Sequence, residues 1–151
     1  MKVLFVCAGN TCRSCMAEIL FNNMIGHDNI EAFSAGVAVV PGSKTSYNAA
    51  YVIHKNLDID ISDRVSVQLT LDMLEKADLV LTMTESIKYF LINSFSIYRQ
   101  KIFTLKEFIG QNGDIIDPFG GNIEIYSETF NDLKNSLELL IDKLKEDKSI
   151  L

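Results

Sequence analysis

The apolar run KVLFV (residues 2–6) passes through a polar loop into a series with Ala17, Leu20, Phe21 and Met24 at helical spacing, with Gly26 as its stop. A strand, a short polar loop and an amphipathic helix in that order is the opening unit of a parallel sheet covered by helices. The rest of the chain repeats the alternation. IEAFSAG (30–36) reads as a second strand, TSYNAAYVIHKN (45–56) as a helix, and TLDMLEKA (70–77) as a short helix opened by a threonine cap. DLVLTMT (78–84) is the clearest buried strand, a helix is expected near 85–95, and KIFTL (101–105) reads as the fourth strand. In the last helix Phe130, Leu133, Leu137, Leu140, Ile141 and Leu144 form one apolar stripe with Glu and Lys opposite, which marks a packing element.

No repeat, linker or low-complexity stretch interrupts this pattern, so one domain over residues 1–151 is expected. A chain of 151 residues with 48% hydrophobic content can bury a proper core. Its formal charge of −6, from 14 basic and 20 acidic residues, argues against a nucleic-acid partner, which calls for a basic face. An anionic substrate must then be captured locally. The N-terminal apolar run ends too soon for a signal peptide, and no segment is long enough to span a bilayer. Three cysteines, an odd number, fit free thiols in a reducing cytoplasm better than a disulfide framework.

All three cysteines lie within nine positions, Cys7 to Cys15, and the first follows the first strand directly. Ligands of an open parallel sheet bind beyond the carboxyl ends of its strands, where this loop stands. If Cys7-Ala8-Gly9-Asn10-Thr11-Cys12 curls around a centre, its backbone N–H groups and the following helix start form a cradle for a tetrahedral oxyanion. Arg13 adds a planar fork for two oxygens, and Gly9 permits backbone angles closed to other residues. Cys7 at the base of such a ring is expected to ionise below its ordinary value of about 8.5, towards about 3.5–7.5. Asn10 then holds the loop, and the Ser14 hydroxyl donates to the thiolate. A leaving group on the far side needs a proton donor. Asp117 in DIIDPFGGN is the candidate, with Phe119 beside it to shield the site and raise its pKa; Asp114 is the weaker choice.

Plainer readings compete. A lone cysteine after a strand is ordinarily a core residue. Cys12 and Cys15 have C-x-x-C spacing, but a structural zinc needs four ligands and no second pair exists; His27 and His54 read as surface or helix residues, and no metal is expected. Arg64 and Lys44 read as solvated loop charges, and Asp117-Pro118 alone would be turn chemistry.

The whole set of residues resembles the low-molecular-weight protein tyrosine phosphatases. Cys7, Gly9, Asn10, Cys12, Arg13 and Ser14 match the family loop, and MAE (16–18), SAG (34–36), ADLVLTMT (77–84) and DPFGG (117–121) extend the likeness along the chain. Cys15 departs from it, standing where the family has proline. The resemblance implies a three-layer α/β fold, a four-stranded parallel sheet flanked by helices on both faces with the phosphate-binding loop after strand 1. It also implies a cysteinyl-phosphate intermediate, no metal or other cofactor, and Ser34 as a partner of Asn10. Within the family, Thr11 together with DPFGG and YRQKIFTLKEF (98–108) is similar to the bacterial protein arginine phosphatases.

The expected protein is therefore a cytoplasmic, monomeric phosphatase of phosphorylated proteins, with no nucleic-acid or membrane partner. Cys7, Arg13 and Asp117 are its catalytic residues; Ala8, Gly9, Asn10, Thr11, Cys12, Ser14 and Phe119 bind substrate. Phosphoarginine is preferred and phosphotyrosine is the alternative. Two other readings are an arsenate reductase, which needs resolving cysteines downstream of Cys15 that are absent, and a non-catalytic phosphoprotein-binding module or phosphocarrier. A binder has no use for both Cys7 and Asp117.

Overall fold

A computed structural model describes residues 1–26 and 29–147; His27 lies outside them. Strands β1 (Lys2–Cys7), β2 (Glu31–Gly36), β3 (Leu79–Thr82) and β4 (Ile102–Thr104) form one parallel sheet in the order β2-β1-β3-β4. The chain leaves β1 for β2 on one side and returns to β3 on the other. The order therefore reverses at β1, and the loop after Cys7 opens into the crevice where such sheets bind ligands.

The side chains of β1 alternate between two cores. Val3, Phe5 and Cys7 face helices α1 (Arg13–Ile25), α2 (Tyr47–Leu57) and α6 (Ile123–Glu146). Leu4 and Val6 face α3 (Leu71–Lys76) and α4 (Glu85–Ser94). Both faces are covered, which is why β1 and β3 are continuous apolar runs. In α6, Leu133, Leu137, Leu140 and Leu144 are fully buried along the expected stripe. Truncating any one of them to Ala removes about 2–5 kcal/mol.

The expected elements are present, with adjusted ends. Gly26 ends α1 at φ 71°, and Ser46, Thr70 and Thr84 cap α2, α3 and α4 with their side-chain oxygens. The fourth strand is shorter than KIFTL. Thr104 and Glu107 form a capping box that starts a four-residue helix, α5 (Leu105–Phe108), and a 3₁₀ turn over Ser96–Lys101 precedes the strand. The irregular segments 36–45 and 57–69 lie against each other through isolated bridges, Gly36 with Gln68 and Lys44 with Val65. Gly36 is required by space: a Cβ there would stand 2.5 Å from the Ala8 carbonyl oxygen.

Candidate active site

The loop between β1 and α1 curls back on the Cys7 sulfur. Asn10 donates its backbone N–H to Cys7 Sγ at 3.2 Å, and Ser14 Oγ lies 2.8 Å from the same atom. The left-handed residue of the loop is Asn10, at φ 57°; Gly9, expected to supply that freedom, lies outside the left-handed region. Among the described residues, no protein group accepts from the N–H of Thr11, Cys12 or Arg13, the usual state of donors at a helix start.

Residues 7 to 13 floor a cleft of about 300 Å³ whose walls include Asp117, Phe119, Val40 and Ser43. Every residue from Cys7 to Arg13 in the expected site thus meets Asp117 and Phe119 in one place, and Ser14 sits beneath Cys7. Arg13, nearly buried, donates from Nη1 to the Ile115 carbonyl at 2.9 Å and brings Nη2 to 3.7 Å from Asp117 Oδ2. Phe119 N–H binds the other Asp117 oxygen at 3.0 Å, a local turn that leaves Oδ2 towards the arginine. Phe119 itself is 80% exposed and leaves the Asp117 side chain 56% exposed, so it lines the mouth without sealing the acid. Asp114 is engaged elsewhere: its Oδ1 accepts the Glu85 N–H at the start of α4, at 2.8 Å. Val40 and Ser43 arrive on a tight turn around Pro41 and Gly42, closed by Ser43 N–H to Val40 O at 3.0 Å.

Arg64 is not a solvated charge. It reaches from the irregular segment 57–69 to Asn10 Oδ1 at 3.0 Å, Ser34 Oγ at 2.8 Å and Glu18 Oε1 at 3.0 Å. Ser34 also meets Asn10 Nδ2 at 3.0 Å, the pairing that the resemblance implies. Lys44, by contrast, pairs with Asp63 on the surface, and His54 stands beside Asp58 on exposed ground.

The cysteines occupy three different settings, all as free thiols. Cys12 Sγ stands 3.4 Å from Ser46 Oγ and 3.4 Å from Tyr126 Oη. Burial, and then the contact with Cys12, pushes the Tyr126 phenol up to about 12, so it stays protonated. Cys15 is fully buried and donates to the Cys12 carbonyl at 3.2 Å. Burial raises its thiol pKa far above the ordinary range, against a smaller opposing effect of Arg64. Among the described residues, no group of three or more His, Cys, Asp and Glu side chains is placed to hold a metal ion.

The sequence profile for low molecular weight phosphotyrosine protein phosphatases matches residues 2–150. The chain belongs to this family. It is 42% identical over 152 residues to a protein-arginine-phosphatase of Bacillus subtilis, covering 98% of this chain and 99% of that one. It is 37% identical over 147 residues to the low molecular weight protein-tyrosine-phosphatase PtpB of Staphylococcus epidermidis, covering 96% and 97%. The fold superposes at a TM-score of 0.92, with 41% identity and full coverage of both chains, on a cysteine-to-serine variant of the YwlE arginine phosphatase that carries a phosphorylated active-site serine. This low molecular weight phosphatase thus has relatives named for two different phosphoresidues, and no helix among its described residues is long and apolar enough to cross a membrane.

Proposed function

We propose that this phosphatase removes phosphate from phosphoarginine residues of proteins through a phosphate ester on Cys7. The observation that carries the reading is the meeting of Cys7, Arg13 and Asp117 in one cleft. In the first step the Cys7 thiolate attacks phosphorus. The phosphate oxygens are held by Arg13 and by the N–H groups of Thr11 and Cys12, donors with no protein acceptor among the described residues. The P–N bond breaks with its electron pair going to the arginine nitrogen, which takes a proton from Asp117. In the second step Asp117, now a carboxylate, takes a proton from water as that water attacks phosphorus. The S–P bond breaks, and the Ser14 hydroxyl steadies the departing thiolate.

The arginine preference rests on Thr11, which lines the cleft and carries a hydroxyl that can meet a guanidinium N–H. It agrees with the name of the Bacillus subtilis relative. A second reading, phosphotyrosine, is favoured by the exposed Phe119 ring at the mouth and by the name of the Staphylococcus epidermidis relative. In either case the protein acts as a single-domain monomer in the cytoplasm, on phosphoproteins and not on nucleic acid or membrane. Phosphoarginyl and phosphotyrosyl peptides of one sequence, assayed side by side, test the reading. A higher kcat/KM for phosphoarginine supports it; a higher value for phosphotyrosine replaces it with the second.

A further inference from the structure

The cleft of about 300 Å³ is at the small end of ligand pockets and takes one phosphorylated side chain, so the polypeptide carrying that side chain must cross the rim. On one side the rim is the first turn of α2. Ser46 N–H donates to the Thr11 carbonyl at 3.0 Å, and Ser46 Oγ stands 3.4 Å from Cys12 Sγ. Asn48 Nδ2 donates to the Gly121 carbonyl at 3.1 Å. Gly121 in turn abuts the first turn of α6, where a Cβ added to it would stand 2.8 Å from the Ile125 side chain. Tyr47, between Ser46 and Asn48, is thereby pinned between the floor of the cleft and the loop that carries Asp117 and Phe119.

The buried face of α2 is Ala49, Ala50, Val52 and Ile53, a face built without Tyr47 and Tyr51. Those two are 80% and 44% exposed, and neither hydroxyl has a protein partner among the described residues. A solvated helix start favours acidic side chains, yet the first turn of α2 has none. Residues four apart share one helix face at a separation of about 6 Å. The two tyrosines therefore make an aromatic stripe that starts at the cleft and runs away from it, continuous with the exposed Phe119 and Ile125 through the Asn48 to Gly121 bond. An extended peptide turns every second side chain to one side at a spacing of about 7 Å, close to that of the stripe. Tyrosine rings offer such a chain a large contact area with few torsions to freeze.

We propose that Tyr47 and Tyr51 form a subsite for the substrate polypeptide, taking apolar side chains at alternate positions on one flank of the phosphoresidue. The proposal rests on the cleft as the place where the phosphoresidue binds. The substrates it selects are segments rich in aromatic or branched apolar residues beside the phosphorylated one. The occupant is the substrate chain because the stripe begins at the cleft wall, where a second copy of the protein would cover the mouth.

The experiment uses phosphoarginyl peptides of a Gly-Ser background with Leu or Phe placed at single positions on either flank, and the same set built on phosphotyrosine. For each protein the readout is the ratio of kcat/KM for the apolar peptide to that for the background peptide, together with its split into KM and kcat. In the wild type this ratio is expected to reach about tenfold at alternate positions of one flank, the scale of one apolar side chain brought out of water, and to lie in KM. In Tyr47→Ser with Tyr51→Ser it should fall to near one, whereas Tyr89→Ser, an exposed tyrosine on α4, should leave it unchanged. A wild-type ratio near one at every position overturns the proposal, as does a ratio that the double variant keeps or that Tyr89→Ser abolishes equally. A wild-type dimer that the double variant dissociates, with no flank preference, assigns the stripe to a second copy and also overturns it. Flank preference in the phosphotyrosyl set with no turnover of the phosphoarginyl set overturns the arginine reading and keeps the subsite; turnover of phosphoarginyl peptides without flank preference overturns only the subsite. Should neither set be turned over, the ratio of Kd values in Cys7→Ala, which has no nucleophile, decides by the same outcomes.

Discussion

Asn10 reaches the Cys7 sulfur with its backbone N–H at 3.2 Å from a left-handed conformation, φ 57°. Asparagine tolerates that region better than residues without a short polar side chain, and glycine adopts it freely. Asn10→Gly should therefore keep the loop shape and lose only the side-chain bonds, whereas Asn10→Ala loses both. The Ala variant is expected to be less stable than the Gly variant by about 1 kcal/mol and less active. Thermal melting and kcat/KM check the order; equal losses would mean that the backbone conformation does not matter.

Asp117→Asn keeps the turn that binds the Phe119 N–H but cannot give up a proton. Formation of the cysteinyl phosphate should slow by about 10² to 10⁴ for substrates with poor leaving groups, and far less for activated aryl phosphates. A leaving-group series measures the difference. A uniform loss across the series would assign Asp117 a different part.

The three thiols should differ in reactivity. Because burial raises the Cys15 pKa, Cys15 remains a protonated thiol through neutral and mildly alkaline pH, whereas a group with a lowered value would be the reactive anion there. Mild peroxide is expected to oxidise Cys7 first, and Cys12, in the same cleft, to capture it as a disulfide that reductant reverses. Peptide mapping of the oxidised protein decides this. A Cys12 to Cys15 link with Cys7 free contradicts it.

Thr11→Ile removes a hydroxyl from the cleft and supplies an apolar surface for an aromatic ring. The preference should shift from phosphoarginine towards phosphotyrosine by about 1–3 kcal/mol, read as the ratio of kcat/KM in the two proteins. An unchanged ratio would remove the structural basis of the arginine preference.

Much of this was legible in the chain because it is local. β1, the loop and α1 are contiguous, so the apolar run, the spacing of Cys7 from Arg13 and the helical stripe specify one another within some twenty residues. The short α5 also had a local signal in Thr104 and Glu107, but a capping box directly after a strand is easily read as more strand. Arg64 had none. It lies 54 residues from Asn10 in a segment without periodicity, and only tertiary packing makes it a partner. Tyr126 was hidden for the opposite reason. It sits four residues before Phe130 on the apolar stripe of α6, so nothing in the sequence separates its hydroxyl contact with Cys12 from ordinary core packing. Val40 and Ser43 reach the cleft only through the turn at Pro41 and Gly42.

The central claim is that phosphate passes from arginine to the sulfur of Cys7. Rapid denaturing quench of the enzyme mixed with a phosphoarginyl peptide, followed by mass mapping of the protein, tests it most directly. The account predicts a transient single phosphate on the peptide containing Cys7, formed before free phosphate appears and absent in Cys7→Ala. Release of phosphate at full rate with no phosphorylated Cys7, or with the label on Cys12, would contradict it.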